Sequence, residues 1–222
     1  MGTTFTVRMT RPEMDRFTTF KAFPELRTNR LILRQLTVAD AEWYLEHSSR
    51  KEIVQGQGLP APKGMMEARK ELQLSFMDLF KNREGFGWGI EKKGEGSLIG
   101  SCGYYKWLKP EGRQAEIGFD LDSLYWGQGI MAEALTAIID FGFQKMKLNR
   151  IELLVMPRNE RSIKLASKLG FKKEGVLREH GFDEKMRPVD EAIFSMLRRD
   201  WVKRRSAVKR TTGPTLILEE RR

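Results

Sequence analysis

Hydrophobic positions along the chain change period several times, and each change marks an element. "RLILRQL" (30–36) alternates and then runs apolar, which predicts a strand. "TVADAEWYLEHSS" follows as one helix, with Thr37 or Asp40 as its cap. Residues 55–64, "QGQGLPAPKG", carry the Gly and Pro punctuation of a loop. Met65, Ala68, Leu72, Phe76 and Leu79 then recur at helical spacing, with Met65, Met66 and Met77 read as core filler or pocket edge. "FGWGIEKK" and "SLIGSCGYYKW" meet across "GEG" as a hairpin, whose adjacent Tyr104 and Tyr105 must face opposite sides of the sheet.

"QAEIGFDLD" (114–122) predicts a further strand. The helical period resumes at Ile130, after a turn holding two glycines, and ends near the basic Lys145 and Lys147. "NRIELLVMP" (149–157) is a buried strand stopped by Pro157, and "NERSIKLASKLG" a helix closed by Gly170. "FKKEGVLREHGF" and "PVDEAIFSMLRRDW" finish as two strands. The order is strand, two helices, three strands, helix, strand, helix, two strands: one mixed α/β domain without internal repeats. It spans residues 26–202, between an irregular arm (1–25) and a basic tail (203–222).

A chain of 222 residues, 40% hydrophobic and 32% charged, suits one well-cored globular domain. The net charge of +10 needs dividing first: the last twenty residues hold seven Lys/Arg against two Glu, so half the excess lies in the tail. That tail is either a solvated extension or a weak contact for an acidic partner such as ribosomal RNA. The single cysteine, Cys102, allows no intramolecular disulfide, and the expected location is a reducing cytoplasm. Cys102 sits in a strand between Ser101 and Gly103 and reads as a buried, inert thiol. His47 and His180 have no spacing that makes a triad or a zinc site, so no metal is expected. No apolar run approaches the roughly 20 residues that span a bilayer, and the first residues lack a signal-peptide core, so no membrane contact is expected.

The informative stretch is "SLYWGQGIMAEALTAIIDFGF" (123–143). Glycines at the mouth of a helix let backbone come close to a ligand, and a helix start offers unpaired N–H groups to an anion. A Walker A loop is excluded, because Ile130 and Met131 follow Gly129 where Lys and Ser/Thr are required. A dinucleotide turn matches Gly127, Gly129 and Ala132 but fails in context, since "DSLYW" separates the strand from Gly127. The third candidate is a turn for the pyrophosphate of acetyl-coenzyme A.

"WGQGIM" after "AEIGFDL" resembles the Q/R-x-x-G-x-G/A signature of the GNAT superfamily of N-acetyltransferases. "RIELLVMPRNERSIKLASKLGFKKEGVLRE" looks like the segment that follows it there, "SLIGSCGYY" like the third strand, and "ELRTNRLILRQLTVADAEWYLEH" like the opening of the RimJ/RimL-type, ribosomal-protein branch. The resemblance covers about residues 25 to 201. It implies a single-domain α/β GNAT fold: a mixed, mostly antiparallel sheet with helices on both faces and a splayed central strand pair.

It also implies an acetyl-CoA-dependent N-acetyltransferase that acetylates a primary amine by direct attack in a ternary complex. The acceptor expected from this branch is a protein N-terminal α-amine. The alternatives are a small-amine acetyltransferase or a ribosome-binding module using the basic tail. Acetyl-CoA would lie along Ile117, Phe119 and Leu121, then on Trp126, Gly127, Gln128, Gly129, Ile130 and Met131, with Asn159 and Ser162 near the thioester. Met131 must turn its side chain away from the phosphates. Glu116 is the candidate base, Glu179 a second choice, and Ser162 the candidate acid. No metal is implied, and the expected form is a monomer or a homodimer.

Overall fold

The structure, a computed structural model, describes residues 20–109 and 113–209. Among them runs an eight-stranded sheet in the order β1-β2-β3-β4-β5-β6-β8-β7. The strands are β1 (Leu26–Arg27), β2 (Leu31–Gln35), β3 (Phe86–Lys92), β4 (Leu98–Lys109), β5 (Gln114–Leu121), β6 (Arg150–Val155), β7 (Lys172–Phe182) and β8 (Pro188–Leu197). Every neighbouring pair is antiparallel except β5 and β6.

At that parallel pair the sheet comes apart. The pairing holds only at Gln114↔Arg150, Ala115↔Ile151 and Glu116↔Glu152. Beyond Glu116, β5 continues to Leu121 and β6 to Val155 with no register between them, while β5 stays paired with β4 and β6 with β8. The expected mixed, mostly antiparallel sheet with a splayed central pair is therefore observed.

Alternation along β4 assigns the two faces. Tyr104 is 1% exposed and donates its hydroxyl to Ile138 O at 2.8 Å, on the side of the helix α5 (Ile130–Gln144). Tyr105 packs edge-on against Phe76 on the opposite side. Eleven of the fifteen α5 residues are buried, which suits a helix laid across the main core with Trp88, Phe86 and Phe141. On the other face lie the helices α1 (Ala41–Ser48), α2 (Lys51–Gln57) and α3 (Met65–Leu72), with a smaller cluster of Leu36, Phe76 and Leu98, while α4 (Asp78–Lys81) packs its Phe80 on Phe86 of the main core. Helix α6 (Glu160–Leu169) ends at Gly170 in the left-handed region (φ 95°), as its sequence predicts.

Three details differ from the sequence reading. The helix expected after Thr37 is α1, but a second helix, α2, follows it where the sequence reading has none: Arg50 is extended (ψ 134°) and separates the two, and α2 reaches Gln57, inside the expected loop. The 65–81 helix passes through a π turn at Gln73–Met77, and Met66 is 87% exposed rather than part of the core. After β8 the chain forms a helix, α7 (Arg198–Lys209), so "RRDW" leaves the strand and helical structure crosses the expected 202/203 boundary. Trp201 Nε1 donates to Asp140 at 2.6 Å and Arg205 pairs with the same carboxylate, tying α7 to α5. Within the N-terminal arm, Phe20 and Phe23 pack on Phe86; residues 1–19, and the tail beyond 209, lie outside the described residues.

Candidate active site

Where β5 and β6 part, the sheet opens into a cleft of about 1150 Å³. One wall is β5 and the turn after it, another is the end of β6 with the start of α6, and α1 and α2 close the third. The turn arises from local chemistry. Asp122 accepts the Leu124 N–H at 3.2 Å and caps a 3₁₀ turn at Ser123–Tyr125, and Trp126 Nε1 donates to Leu121 O at 2.8 Å, folding the chain back at the strand end.

Gly127 (φ 76°) and Gly129 (φ 74°) both take the left-handed conformation, which costs other L-residues roughly 1–2 kcal/mol. A Cβ on Gly127 would meet nothing within 4 Å, so backbone conformation rather than crowding asks for glycine there. Residues 127–129 are exposed, and Glu133 N donates to Gly129 O as the first α5 bond. The N–H groups of Ile130 to Ala132 thus have no carbonyl four residues back inside the helix, which fits this turn to an anion. Ile130 and Met131 are 1% and 6% exposed and point into the core, so Met131 does turn away from the turn's open side.

The other expected residues divide between backbone and side-chain positions. Ile117 and Leu121 are buried in the core, leaving their backbone at the splay, and Phe119 is half-buried at the cleft wall. Glu116 lines the cleft at the last paired register of β5 and β6. Asn159 caps α6 by accepting the Ser162 N–H at 3.2 Å, and both residues line the cleft wall facing β5. Among the described residues the Ser162 hydroxyl has no hydrogen-bond partner. Glu179 is exposed on β7 with φ 49°, at an irregularity between Leu177 and Gly181, and takes no part in the cleft; Glu184 and Glu191 line it instead.

Sequence reasoning missed the most connected group in the cleft. Asp120 accepts hydrogen bonds from Ser101 N (3.0 Å), Ser101 Oγ (2.6 Å) and Gln57 Nε2 (3.1 Å), and its Oδ1 lies 2.6 Å from His47 Nε2. The His47 ring stacks on Trp43 at 4.8 Å, is 3% exposed, and leaves Nδ1 buried without a partner among the described residues. Asp120 shares its strand face with Glu116 and Gly118, a period-2 relation that only the pairing partner 73 residues away makes significant. Nearby, burial and then the Glu71 carboxylate push the Tyr44 hydroxyl up to about 12, so it stays protonated. Cys102 is fully buried, and burial pushes its thiol well up, in keeping with an inert group. Among the described residues no cluster of metal-binding side chains is present, and no helix is long and apolar enough to cross a membrane.

The chain matches the acetyltransferase (GNAT) domain over residues 30–172. It is 35% identical over 176 residues to the uncharacterized N-acetyltransferase YoaA of Bacillus subtilis (strain 168), covering 79% of this chain and 98% of that one. It is 28% identical over 163 residues to the [ribosomal protein uS5]-alanine N-acetyltransferase of Escherichia coli (strain K12), covering 70% and 81%. Among solved structures, the ribosomal-protein-S5-alanine acetyltransferase from Vibrio fischeri superposes with a TM-score of 0.68 at 26% identity, over 80% and 98% of the two chains. RimL, a ribosomal L7/L12 alpha-N-protein acetyltransferase in complex with coenzyme A, shares the fold with a TM-score of 0.69 at 19% identity, over 78% and 97%.

Proposed function

The chain belongs to the acetyltransferase (GNAT) domain family, and from that footing we propose that it transfers the acetyl group of acetyl-CoA to a protein N-terminal α-amine. The observation that carries the reading is the divergence of β5 and β6 beyond Glu116↔Glu152, directly before the two-glycine turn. A pantetheine arm has amides that pair with an open strand edge, and the backbone along Ile117 to Leu121 offers such an edge. Its diphosphate then reaches the N–H groups between Gly127 and Met131 without a metal.

Three things happen in the transfer. The ammonium gives up one proton to become a neutral amine, its nitrogen bonds to the thioester carbon and then sheds a second proton, and the C–S bond breaks to leave a thiolate that takes up a proton. Deprotonating an α-amine at pH 7 costs roughly 1 kcal/mol, against roughly 4.6 for a lysine. Glu116, where the strands part, accepts the proton directly or through a water. Ser162, across the cleft, donates to the departing sulfur, and Asn159 holds the thioester region. The α-amine acceptor draws support from the relatives that act on ribosomal-protein N-termini, and Glu116 and Glu52 along the cleft suit an acceptor that arrives as a cation.

The test is thermal unfolding with acetyl-CoA and, separately, NADH, followed by mass spectrometry of alanine-led peptides and their lysine-only counterparts. Acetyl-CoA at about a hundred times its Kd adds roughly 2.7 kcal/mol. Acetylation confined to the α-amine supports the proposal. Stabilisation by NADH alone, or acetylation of small amines but not peptides, overturns it.

A further inference from the structure

Strand β2 and helix α5 are a hundred residues apart, yet a cluster of hydrogen bonds fastens the turn before β2 to the two-glycine turn. Glu133, in the first turn of α5, accepts from Thr28 Oγ1 (2.6 Å), Arg30 N (2.8 Å) and Arg30 Nε (2.6 Å). The same guanidinium donates Nη1 to the backbone carbonyl of Gln128 at 3.0 Å. Its Nη2 lies 3.6 Å from the place a Gly129 Cβ would occupy and has no hydrogen-bond partner among the described residues. The Arg30 side chain is 42% exposed, whereas that of Glu133 is 19% exposed.

Two features of this arrangement bear on an anion docked at the turn as well as on the fold. A carboxylate in the first turn of α5 favours the helix dipole but repels any diphosphate docked on the same N–H groups. Burial raises the Glu133 carboxyl, yet the bonds from Thr28 and Arg30 prevail and hold it below its ordinary range, so it stays charged. A backbone carbonyl between two left-handed glycines could also turn towards the ligand and block it. Arg30 cancels the first charge and draws the Gln128 carbonyl to itself.

We propose that Arg30 is a positioning residue for the diphosphate of the co-substrate: it neutralises Glu133, holds the Gln128 carbonyl out of the anion site, and presents Nη2 to a phosphate oxygen. This rests on the acetyl-CoA reading of the turn. The sequence gives no hint of it, because Arg30 looks like an ordinary strand-edge charge.

The experiment compares the full-length wild type with Arg30→Ala, Arg30→Lys and the double variant Arg30→Ala/Glu133→Gln. Acetyl-CoA affinity is measured by calorimetry, and turnover with acetyl-CoA is set against turnover with acetyl-pantetheine, which lacks the diphosphate. Arg30→Ala is expected to weaken acetyl-CoA about tenfold, raise its KM with little change in kcat, and leave the KM for acetyl-pantetheine in place. Arg30→Lys should fall between, and the double variant should bind acetyl-CoA better than Arg30→Ala because the uncompensated carboxylate is gone. Melting temperatures check that each variant folds; the side-chain oxygen at position 133, of Glu or of the Gln in the double variant, remains as acceptor for the Thr28 hydroxyl and the main-chain N–H of residue 30. A double variant no better than Arg30→Ala, or equal losses with both acetyl donors, overturns the proposal. A wild type that does not bind acetyl-CoA overturns the reading of the turn itself, whereas an Arg30→Ala variant that binds it as well as the wild type overturns only this assignment.

Discussion

His47 Nε2 lies 2.6 Å from Asp120 Oδ1, and this contact locks α1 onto β5 at the cleft wall. Asp120 uses both carboxylate oxygens, with two partners on each, so the anion is fully satisfied although it is largely buried. Removing it strands three buried groups at once: the Ser101 N–H, the Ser101 hydroxyl and the His47 ring. Asp120→Ala is expected to lower stability by about 3 kcal/mol, because the buried His47 and Ser101 donors lose their acceptor together, while the exposed Gln57 amide turns to water. His47→Phe keeps the stacking on Trp43 and removes one donor, so it should cost less than half as much. Urea denaturation of both variants measures this, and equal losses would mean that packing of the ring, not the carboxylate, holds the wall.

Glu116 and Ser162 stand on opposite walls of the same opening, which separates their kinetic signatures. Glu116→Gln should lower kcat about a hundredfold for an α-amine acceptor, the lower end for a positioned base. The loss should shrink as pH rises and the free amine no longer needs help. Ser162→Ala should cost about tenfold without that pH relief, since it acts on the leaving sulfur. A Glu116→Gln variant with an unchanged pH–rate profile would remove the residue from the base role.

Arg150 joins three strands, pairing with Glu152 at 2.6 Å and with both oxygens of Glu174, whose Oε1 also accepts from Ser195. The Arg150 guanidinium, then the Ser195 hydroxyl, hold the Glu174 carboxyl at about 2, below its ordinary 4.5. A carboxyl lowered in the folded state contributes stability above its unfolded value and loses it as pH falls through the folded one. Glu174→Gln should therefore flatten the stability profile between about pH 4.5 and 2 and change it little below. Because the Glu174 side chain is 43% exposed, solvent screening limits the difference at pH 7 to about 1 kcal/mol. Acid titration followed by circular dichroism reads the slope directly.

Much of the frame was legible in the sequence because it is written in local signals. Alternation gave β3, β4 and β5, Gly127 and Gly129 marked the turn, and Gly170 closed α6. What stayed hidden depends on contacts between distant segments. Asp120 is one polar residue in an alternating strand until His47 and Gln57 converge on it, and Arg30 gains meaning only beside Glu133. The break at Arg50 and the π turn at Gln73–Met77 carry no glycine or proline to announce them. The cleft itself was inferred by family resemblance, since periodicity does not report where two parallel strands stop pairing.

The basic C-terminal segment needs a cut that respects α7. Truncation after Val202 would remove Arg205, which pairs with Asp140, and Arg204, which donates to Lys168 O at 2.8 Å. Such a variant would lose stability whatever the segment binds, and the result would be mistaken for loss of a partner. Truncation after Lys209 keeps both contacts and removes residues 210–222, which still hold Arg210, Arg221 and Arg222. This shorter chain should melt within about a degree of the full one, while Asp140→Ala should destabilise both by about 2 kcal/mol through loss of the Trp201 and Arg205 contacts. If the last thirteen residues serve an RNA contact, only the full chain will show ribosome binding that weakens with salt. Equal pelleting of the two chains with ribosomes at every salt concentration would exclude residues 210–222 from that contact.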